Sequence, residues 1–422
     1  MISEPQEAFV WIWPPGAAKP VVAGRIAPEG TRFDFAYGRS YLERPDAMPL
    51  YLPELPLKRG RQQPLGNLDM ANALRDGLPD RWGRRVIINR LTGLKGDAAS
   101  NTLFSDLTYM LQSGSDRIGA LDFQTSATQY VPRGDGETTL EDLAAFAQLV
   151  GDGLPVPATL EQAILHGSSI GGARPKALLN DGGRKLIAKF SASNDVFSMV
   201  KAEFVAMRLA ERVGITVAPV SLLQALGKDV LIVERFDRVT RPGGGFSRRS
   251  MISALTIFGA HELSAHHCSY VDLADAIRAR FTNPRETLRE VFLRMVFNIL
   301  VGNTDDHARN HAAFWDGAIL TLTPAYDIAP QIRAGHEANQ AILITETDRR
   351  SRLATCLAAA EKFHLRENEA RDLIDAAIGV IRSEWQEVCD AARLPEVERK
   401  AFAGRQFFNA YAFEGFGAVP TL

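Results

Sequence analysis

Pro242-Gly243-Gly244-Gly245 divides this chain into two stretches whose apolar residues recur with different periods. A proline followed by three glycines can sit in neither a helix interior nor a central strand, so it marks a boundary. Ahead of it the pattern favours strands. Ala8 to Trp13 is rich in β-formers and stops at Pro14-Pro15-Gly16, and Arg32 to Tyr37 alternates as a half-buried strand should. Lys176–Leu179 and Lys185–Phe190 flank Asp181-Gly182-Gly183, a hairpin signal. Ala218–Ala225 and Val230–Phe236 are two further strands joined through Gly227. Helical segments intervene. Asp69 to Leu91 breaks at Gly77-Leu78-Pro79, with Asp80 placed to cap the helical stretch after the break, and Pro45 to Pro64 reads as irregular. Leu103–Leu111, Leu140–His166 (interrupted at Gly151 to Pro157) and Val200–Val213 read as helices, the last ended by Gly214. After about Ser250 the period is helical. Leu288, Val291, Phe292, Met295, Val296 and Ile299 share one face, and Glu367–Cys389 and Glu396–Tyr411 continue the pattern. The expected fold is α+β, a sheet-rich half followed by a helical half, with a mononucleotide suited to the cleft between them.

A chain of 422 residues is too long for one core and implies two or three folding units. A formal net charge of -2 does not suggest a nucleic-acid binder overall. Cys268, Cys356 and Cys389 are far apart and form neither a disulfide framework nor a zinc spacing, so a reducing cytoplasm is the expected location. The segment Met1 to Val10 carries Glu4 and Glu7 and is not a signal peptide, and no apolar run reaches the roughly 20 residues that span a bilayer.

The richest chemistry lies in Asn303-Thr304-Asp305-Asp306-His307-Ala308-Arg309-Asn310 and Tyr326-Asp327-Ile328-Ala329-Pro330. Protein kinases use an Asp to accept the substrate hydroxyl proton, an Asn five positions later to hold Mg²⁺, and a second Asp to bridge Mg²⁺ to ATP. Asp305, Asn310 and Asp327 meet that spacing, with Asp306 a rival base. Mg²⁺ prefers oxygen ligands and takes only one or two from protein, which suits Asn310 and Asp327. Upstream, Gly167-Ser168-Ser169-Ile170-Gly171-Gly172-Ala173 either cradles phosphate through backbone N–H groups or is an ordinary turn. Lys189 either reaches phosphates, paired with Glu203 on the next helix, or lies on an edge strand facing solvent. Val230 to Arg238 turns polar either where a kinase hinge would meet adenine or simply as a core strand ending at the surface, the reading this segment alone favours. His261-Glu262-Leu263-Ser264-Ala265-His266-His267 lacks the four-residue histidine spacing of a zinc helix. Arg84-Arg85 and Arg248-Arg249 read as solvated basic pairs.

Together Gly167–Lys176, Val233-Glu234-Arg235-Phe236-Asp237-Arg238, Asn303–His311 and Leu322–Pro330 resemble the HipA-type serine/threonine kinases, toxins of bacterial toxin–antitoxin modules. Leu78-Pro79-Asp80-Arg81-Trp82-Gly83 and Asp116-Arg117-Ile118-Gly119-Ala120-Leu121 are similar to that family's N-terminal subdomain. The resemblance implies a two-lobed kinase-like fold: residues 1–125 an N-terminal subdomain, 126–245 the rest of the β-rich lobe, and 246–422 an all-helical lobe. It implies ATP and Mg²⁺ as cofactors and Asp305 as catalytic base, with Asn310 and Asp327 on the metal. Gly171, Gly172, Ala173, Arg174, Pro175 and Lys176 would form the phosphate loop. Lys189 and Glu203, then Glu234, Arg235 and Phe236, then His307 and Tyr326 would border the nucleotide. Ser169, or its neighbour Ser168, would be an autophosphorylation site, since phosphate there adds close to two negative charges where ATP must bind. The implied partners are a helix-turn-helix antitoxin of the HipB type, DNA only through that antitoxin, and a protein substrate such as an aminoacyl-tRNA synthetase. Two other readings stay open: a small-molecule kinase of the aminoglycoside or choline type, and a nucleotide-binding corepressor.

Overall fold

Two compact units, each drawn from several stretches of chain, make up the computed structural model. It describes residues 4–94, 104–134, 136–172, 174–192, 195, 197–333 and 335–422. Ala173 of the glycine loop and Leu103 at the start of an expected helix lie outside them. The first unit takes Met1–Asp195, Leu223–Ile252 and Phe314–Ala318, and the second takes Val196–Leu222, Ser253–Ala313 and Ile319–Leu422. No helix among the described residues is long and apolar enough to cross a membrane.

In the first unit β1 (Ala8–Ile12), β2 (Val21–Glu29), β3 (Arg32–Tyr37), β4 (Arg61–Gln62) and β5 (Leu121–Gln124) form one sheet in the order β4-β3-β2-β1-β5. A second sheet contains β6 (Lys176–Asp181), β7 (Arg184–Phe190), β8 (Val220–Ala225) and β9 (Lys228–Glu234), in the order β6-β7-β9-β8. The β6–β7 hairpin turns through Gly182 and Gly183, both at positive φ, which glycine adopts without steric cost. Alternation assigns its faces. Ala177, Leu179, Leu186, Ala188, Phe190, Val230 and Ile232 enter a core with Trp82, Val86, Leu143, Phe146 and Val150. Fully burying a side chain such as Phe146 contributes about 2–3 kcal/mol. The opposite face therefore carries Lys176, Leu178, Ile187, Lys189, Leu231 and Val233.

β10 (Arg238–Thr240) and β11 (Phe246–Arg248) pair across the glycine break, where Gly243, Gly244 and Gly245 all take positive φ. Below them runs a buried ion network. Asp116 pairs with Arg235 at 3.1 Å and Arg238 at 2.7 Å, and Asp237 with the same two arginines at 2.8 and 2.7 Å. Burial opposes ionisation of the Asp116 carboxyl, but the four surrounding cations hold it well below the usual carboxylate range. Arg248 belongs here too: it stacks 3.5 Å from the Trp13 ring centroid, and its burial pushes the guanidinium down to about 10. Three of the four arginines expected in solvated pairs are instead partly buried and bonded. Arg84 bonds Asp106, Arg85 bonds the carbonyls of Val150 and Gly151, and Arg249 alone is exposed.

The second unit is mainly helical, but residues 246–422 are not all-helical as expected: besides β11 they hold strands Met251–Ser253, Ala312–Trp315 and Leu320–Leu322, the last two joined by a turn through Gly317 at positive φ. Helix Pro284–Leu300 starts with proline at its first position, where the missing N–H costs nothing, and buries Leu288, Val291, Phe292, Met295, Val296 and Ile299. Helix Tyr270–Arg280, capped by Ser269 and Asp272, packs on it. Helix Met199–Val213, expected with the sheet-rich residues, belongs to this unit. It lies along helix Glu367–Ala391, with Arg212 paired to Glu384 at 2.6 Å and Glu387 at 2.8 Å, and Lys201 Nζ donating to Arg393 O at 2.9 Å. Glu396–Tyr411 is not one helix. It splits into Glu396–Phe402 and Ala410–Phe413 because Gly404 and Phe408 take positive φ and the Phe408 N–H bonds Leu300 O.

Candidate active site

Helix Pro284–Leu300 delivers the acidic loop and the next residues fix it. Gly302 reverses the chain at φ +69°, and a Cβ there would lie 2.6 Å from Gln406 O, so only glycine fits without movement. Asn303 Nδ2 donates to Asn298 Oδ1 at 3.0 Å, and Gln340 Nε2 donates to Asn303 O at 3.0 Å. The adjacent aspartates then part company. Asp306 is 1 % exposed. One of its oxygens accepts from the Tyr270 hydroxyl, and the other lies 2.8 Å from His311 Nε2. Asp305 is exposed. Its carboxyl is nevertheless raised, first by partial desolvation within the loop and then by the charges of Asp327 and Asp306, with His307 opposing them.

A short 3-10 turn, Ala308–Asn310, brings Asn310 back so that its Nδ2 donates to Asp305 O at 3.2 Å. The amide oxygen is the end not committed to that bond. Tyr326 straps the next loop to this one by donating its hydroxyl to Arg309 O at 2.7 Å, and Thr323 N–H donates to Ala312 O at 3.1 Å. Asp327 sits at φ +59°, a left-handed conformation that Asp tolerates better than most residues. Its charge is felt at Asp305, so two carboxylates repel one another here, and a hard divalent cation would relieve that repulsion. The buried His307 Nδ1 has no hydrogen-bond partner, a further sign of a site shaped for something else. The donor set of Asn310 and Asp327, both oxygen ligands, fits Mg²⁺.

In the first unit Lys176 and Lys189 are direct cross-strand partners on β6 and β7. Opposed residues of an antiparallel pair project to the same face, so both lysines stand on one side of the sheet. Gly171 and Gly172 lie just ahead of β6. Gly172 takes φ +104°, and a Cβ on it would come within 2.1 Å of Lys176 Nζ. Pro175 O accepts from Phe190 N–H at 3.0 Å, which closes the loop onto β7. Arg174 turns to Asp195 at 2.9 Å. Ser168 and Ser169 are both buried: Ser168 Oγ accepts from Gly114 N–H at 3.0 Å, and Ser169 Oγ has no partner.

The expected residues therefore fall into two sets. Asp305, His307, Asn310, Tyr326 and Asp327 share one strapped loop pair in the second unit. Gly171, Gly172, Lys176 and Lys189 gather in the first. Glu203 is buried on helix Met199–Val213 of the second unit. The three residues of the expected hinge differ in their surroundings. Glu234 is exposed on the sheet face opposite Lys189. The Arg235 side chain is spent on Asp116, Asp237 and the Arg117 carbonyl, which leaves its backbone as what it can offer a ligand. Phe236 is half-buried against Phe314, ring centroids 5.9 Å apart. Asn298 and Tyr270, which hold the acidic loop, carried no sequence signal beyond being polar residues in helices, and His311 was marked only as the end of the Asn303–His311 motif. Asp80 and Trp82 hold the glycine loop; the sequence marked Asp80 as a helix cap and both residues as part of the Leu78–Gly83 motif, not as partners of that loop.

Comparison with known proteins places this geometry. Residues 168–385 match the family model of the HipA-like C-terminal domain, and residues 17–124 match that of the HipA N-terminal domain. A Sinorhizobium fredii protein named as a kinase, Y4mE, is 25 % identical over 329 residues, 72 % of this chain and 75 % of that protein. The serine/threonine-protein kinase toxin HipA of Shewanella oneidensis is 26 % identical over 284 residues, 60 % of each chain. Among solved structures, a chain of the Shewanella oneidensis HipA, HipB and operator DNA complex superposes with a TM-score of 0.68 at 20 % identity, covering 90 % of this chain and 92 % of that one. The first model spans more than half of the residues, the second matches the segment ahead of it, and the α+β fold agrees: this chain belongs to the HipA family of serine/threonine kinases.

Proposed function

We propose that the chain is an ATP- and Mg²⁺-dependent protein serine/threonine kinase acting as the toxin of a bacterial toxin–antitoxin pair in the cytoplasm. The observation that carries this reading is the strapped loop pair: an exposed Asp305 whose carboxyl is raised by its neighbours, an Asn310 folded back onto it, and an Asp327 whose charge reaches it. Asp305 would accept the proton of a serine or threonine hydroxyl as its oxygen attacks the γ-phosphorus, the bond to the β,γ-bridging oxygen breaks and ADP leaves. A base raised towards the operating pH is a better proton acceptor, so burial and like charge serve the chemistry. Asn310 and Asp327 would hold Mg²⁺, which neutralises charge on the phosphates when bound. Lys176 and Lys189 would meet the phosphates. Gly171, Gly172, Ala173, Arg174 and Lys176 would supply backbone N–H donors, Pro175 having none. His307 and Tyr326 would border the nucleotide, and Glu234 to Phe236 would meet the base through backbone and the Phe236 ring.

An aminoacyl-tRNA synthetase is the substrate class that the family resemblance favours. A small antitoxin of the HipB type is the partner that the Shewanella complex favours, with DNA reached only through it. Ser169 is the proposed autophosphorylation site. Labelled ATP with Mg²⁺, offered to the chain alone and with cell lysate, tests the reading. Protein bands should be labelled by the wild type and lost in Asp305→Ala, and self-labelling should vanish in Ser169→Ala. Label confined to small molecules would instead indicate a small-molecule kinase, and no transfer at all would refute both.

A further inference from the structure

Asp80 occupies the N-cap position of helix Arg81–Thr92, with extended backbone at φ -80° and ψ -166°, yet its side chain does not cap that helix. An Asp in this place ordinarily accepts from the second or third N–H of its own helix. Here Oδ2 accepts instead from Gly172 N–H, at 2.9 Å and 92 residues along the chain. The same carboxylate lies hard against the neighbouring glycine, since a Cβ on Gly171 would fall 2.4 Å from Oδ2. The contact is one of a set. Trp82 N–H donates to Gly172 O at 2.9 Å, and Trp82 Nε1 donates to Lys176 O at 2.9 Å. Gly83 admits the loop so closely that a Cβ there would meet Ser168 O at 2.7 Å and Ile170 O at 3.2 Å. Both ends of the glycine loop, and its centre, are thus held by one helix start, all within the first unit.

The chemistry of the central contact differs from that of the others. The Trp82 bonds are neutral and draw on carbonyl oxygens. The Asp80 bond places an anion on a backbone N–H of the di-glycine, beside the ammonium of Lys176. A carboxylate oxygen and a phosphate oxygen are equivalent acceptors for that donor, and an N–H in this geometry serves one of them at a time. Two anions brought together at one donor also repel.

We propose that Asp80 is a positioning residue for the phosphate loop, holding Gly172 N–H with a carboxylate that a nucleotide phosphate must displace. The proposal rests on the nucleotide reading above and deepens it. The N-terminal segment shapes the loop through Trp82 and Gly83, and through Asp80 it sets how readily the loop accepts phosphate. The charge of Asp80, rather than its mere presence, is what opposes the nucleotide.

The probe is a fluorescent mant-ATP titrated with Mg²⁺ into the full chain and into Asp80→Asn, which keeps an acceptor of the same shape and removes the charge. Asp80→Asn should bind roughly fivefold more tightly. Its apparent KM for ATP should fall by the same factor, with kcat unchanged. Trp82→Phe, which removes a neutral bond and no charge, should leave affinity within about twofold. Thermal melting checks that each variant is folded, and Asp80→Ser replaces Asp80→Asn if the latter is not. Unchanged or weaker binding by the folded, uncharged variant overturns the proposal alone. An equal gain in Trp82→Phe also overturns it, because loosening of the loop would then be the cause. Failure of the wild type itself to bind mant-ATP overturns the nucleotide reading and this proposal with it.

Discussion

Single residues in this chain are often defined by a partner far away in sequence, and Glu54 shows what that implies. It is 5 % exposed and accepts the N–H groups of Asn72 at 3.1 Å and Ala73 at 2.8 Å, so it caps helix Asn72–Arg75, whose own N-cap residue is Ala71. Burial pushes its carboxyl from 4.5 up to about 7, which outweighs those two hydrogen bonds, and Asp76 adds to the rise. A raised carboxyl holds its proton in the folded state after the unfolded state has lost it. Its contribution to stability is therefore complete below pH 4.5 and is lost as the pH climbs through about 7. The loss across that window is about 3 kcal/mol. Glu54→Gln cannot ionise and should remove this part of the slope, so that wild type loses stability relative to the variant over the window. Urea unfolding at a series of pH values measures it; parallel slopes would contradict the assignment. Nothing in the proline-punctuated sequence around Glu54 foreshadows this, because the partner helix is 18 residues away. Asp305 and Asn310 stand out in the sequence by contrast, since their spacing of five is local. The spacing to Asn310 favours Asp305 over its rival Asp306, and the structure separates them by what each touches, Asp306 being buried against Tyr270 and His311.

At the scale of elements, the acidic loop is held by helix Tyr270–Arg280 as much as by the helix that precedes it. Tyr270 anchors the helix start, its N–H on Leu343 O at 2.9 Å, and turns its hydroxyl to the buried Asp306. His311 closes the set 2.8 Å from the other Asp306 oxygen, and Asn298 Nδ2 reaches the Tyr270 oxygen at 3.4 Å. Tyr270→Phe keeps the ring and deletes the donor, leaving a buried carboxylate short of one partner, at a cost of about 1–3 kcal/mol. Because Asp306 adjoins Asp305, the loss should also reach the reaction. We expect the phosphotransfer kcat to fall roughly tenfold with the KM for ATP little changed, the pattern for an interaction that matters in the transition state. Labelling kinetics on a variant shown to be folded decide this, and a kcat equal to that of the wild type would exclude a positioning role for the network. Elements specified by short-range chemistry were readable in advance: the Asp-Gly-Gly hairpin, Gly214 at the end of its helix, the apolar stripe of Pro284–Leu300. The break inside Glu396–Tyr411 was not, because it depends on the Phe408 N–H finding Leu300 O, a contact that no local pattern encodes.

At the scale of the molecule the chain is interleaved, and this is where sequence order misleads most. Periodicity divides the chain once, at the glycine break, whereas each compact unit draws on residues from both sides of it. The first unit needs Leu223–Ile252, which supplies β9 with Arg235 and Arg238. A fragment ending at residue 195 would leave the buried Asp116 without those two arginines, and a buried charge stripped of its partners is strongly destabilising, by about 3–5 kcal/mol. The second unit needs helix Met199–Val213, whose Phe204, Val205 and Leu209 are buried, so a fragment of residues 253–422 would lay bare the surface of Glu367–Ala391 that this helix covers. Both fragments should therefore melt broadly and bind a hydrophobic dye such as ANS, while the full chain should unfold sharply and bind little. Cutting at the glycine break, the place that sequence order recommends, should do no better for residues 1–241: they retain the arginines and β9 but lose β11, and with it the Arg248 that stacks on Trp13. A sharp, dye-free transition for residues 253–422 would mean that helix Met199–Val213 is dispensable to the helical unit. The buried face and ion pairs of that helix argue the opposite, that the unit is completed only by chain from ahead of the break.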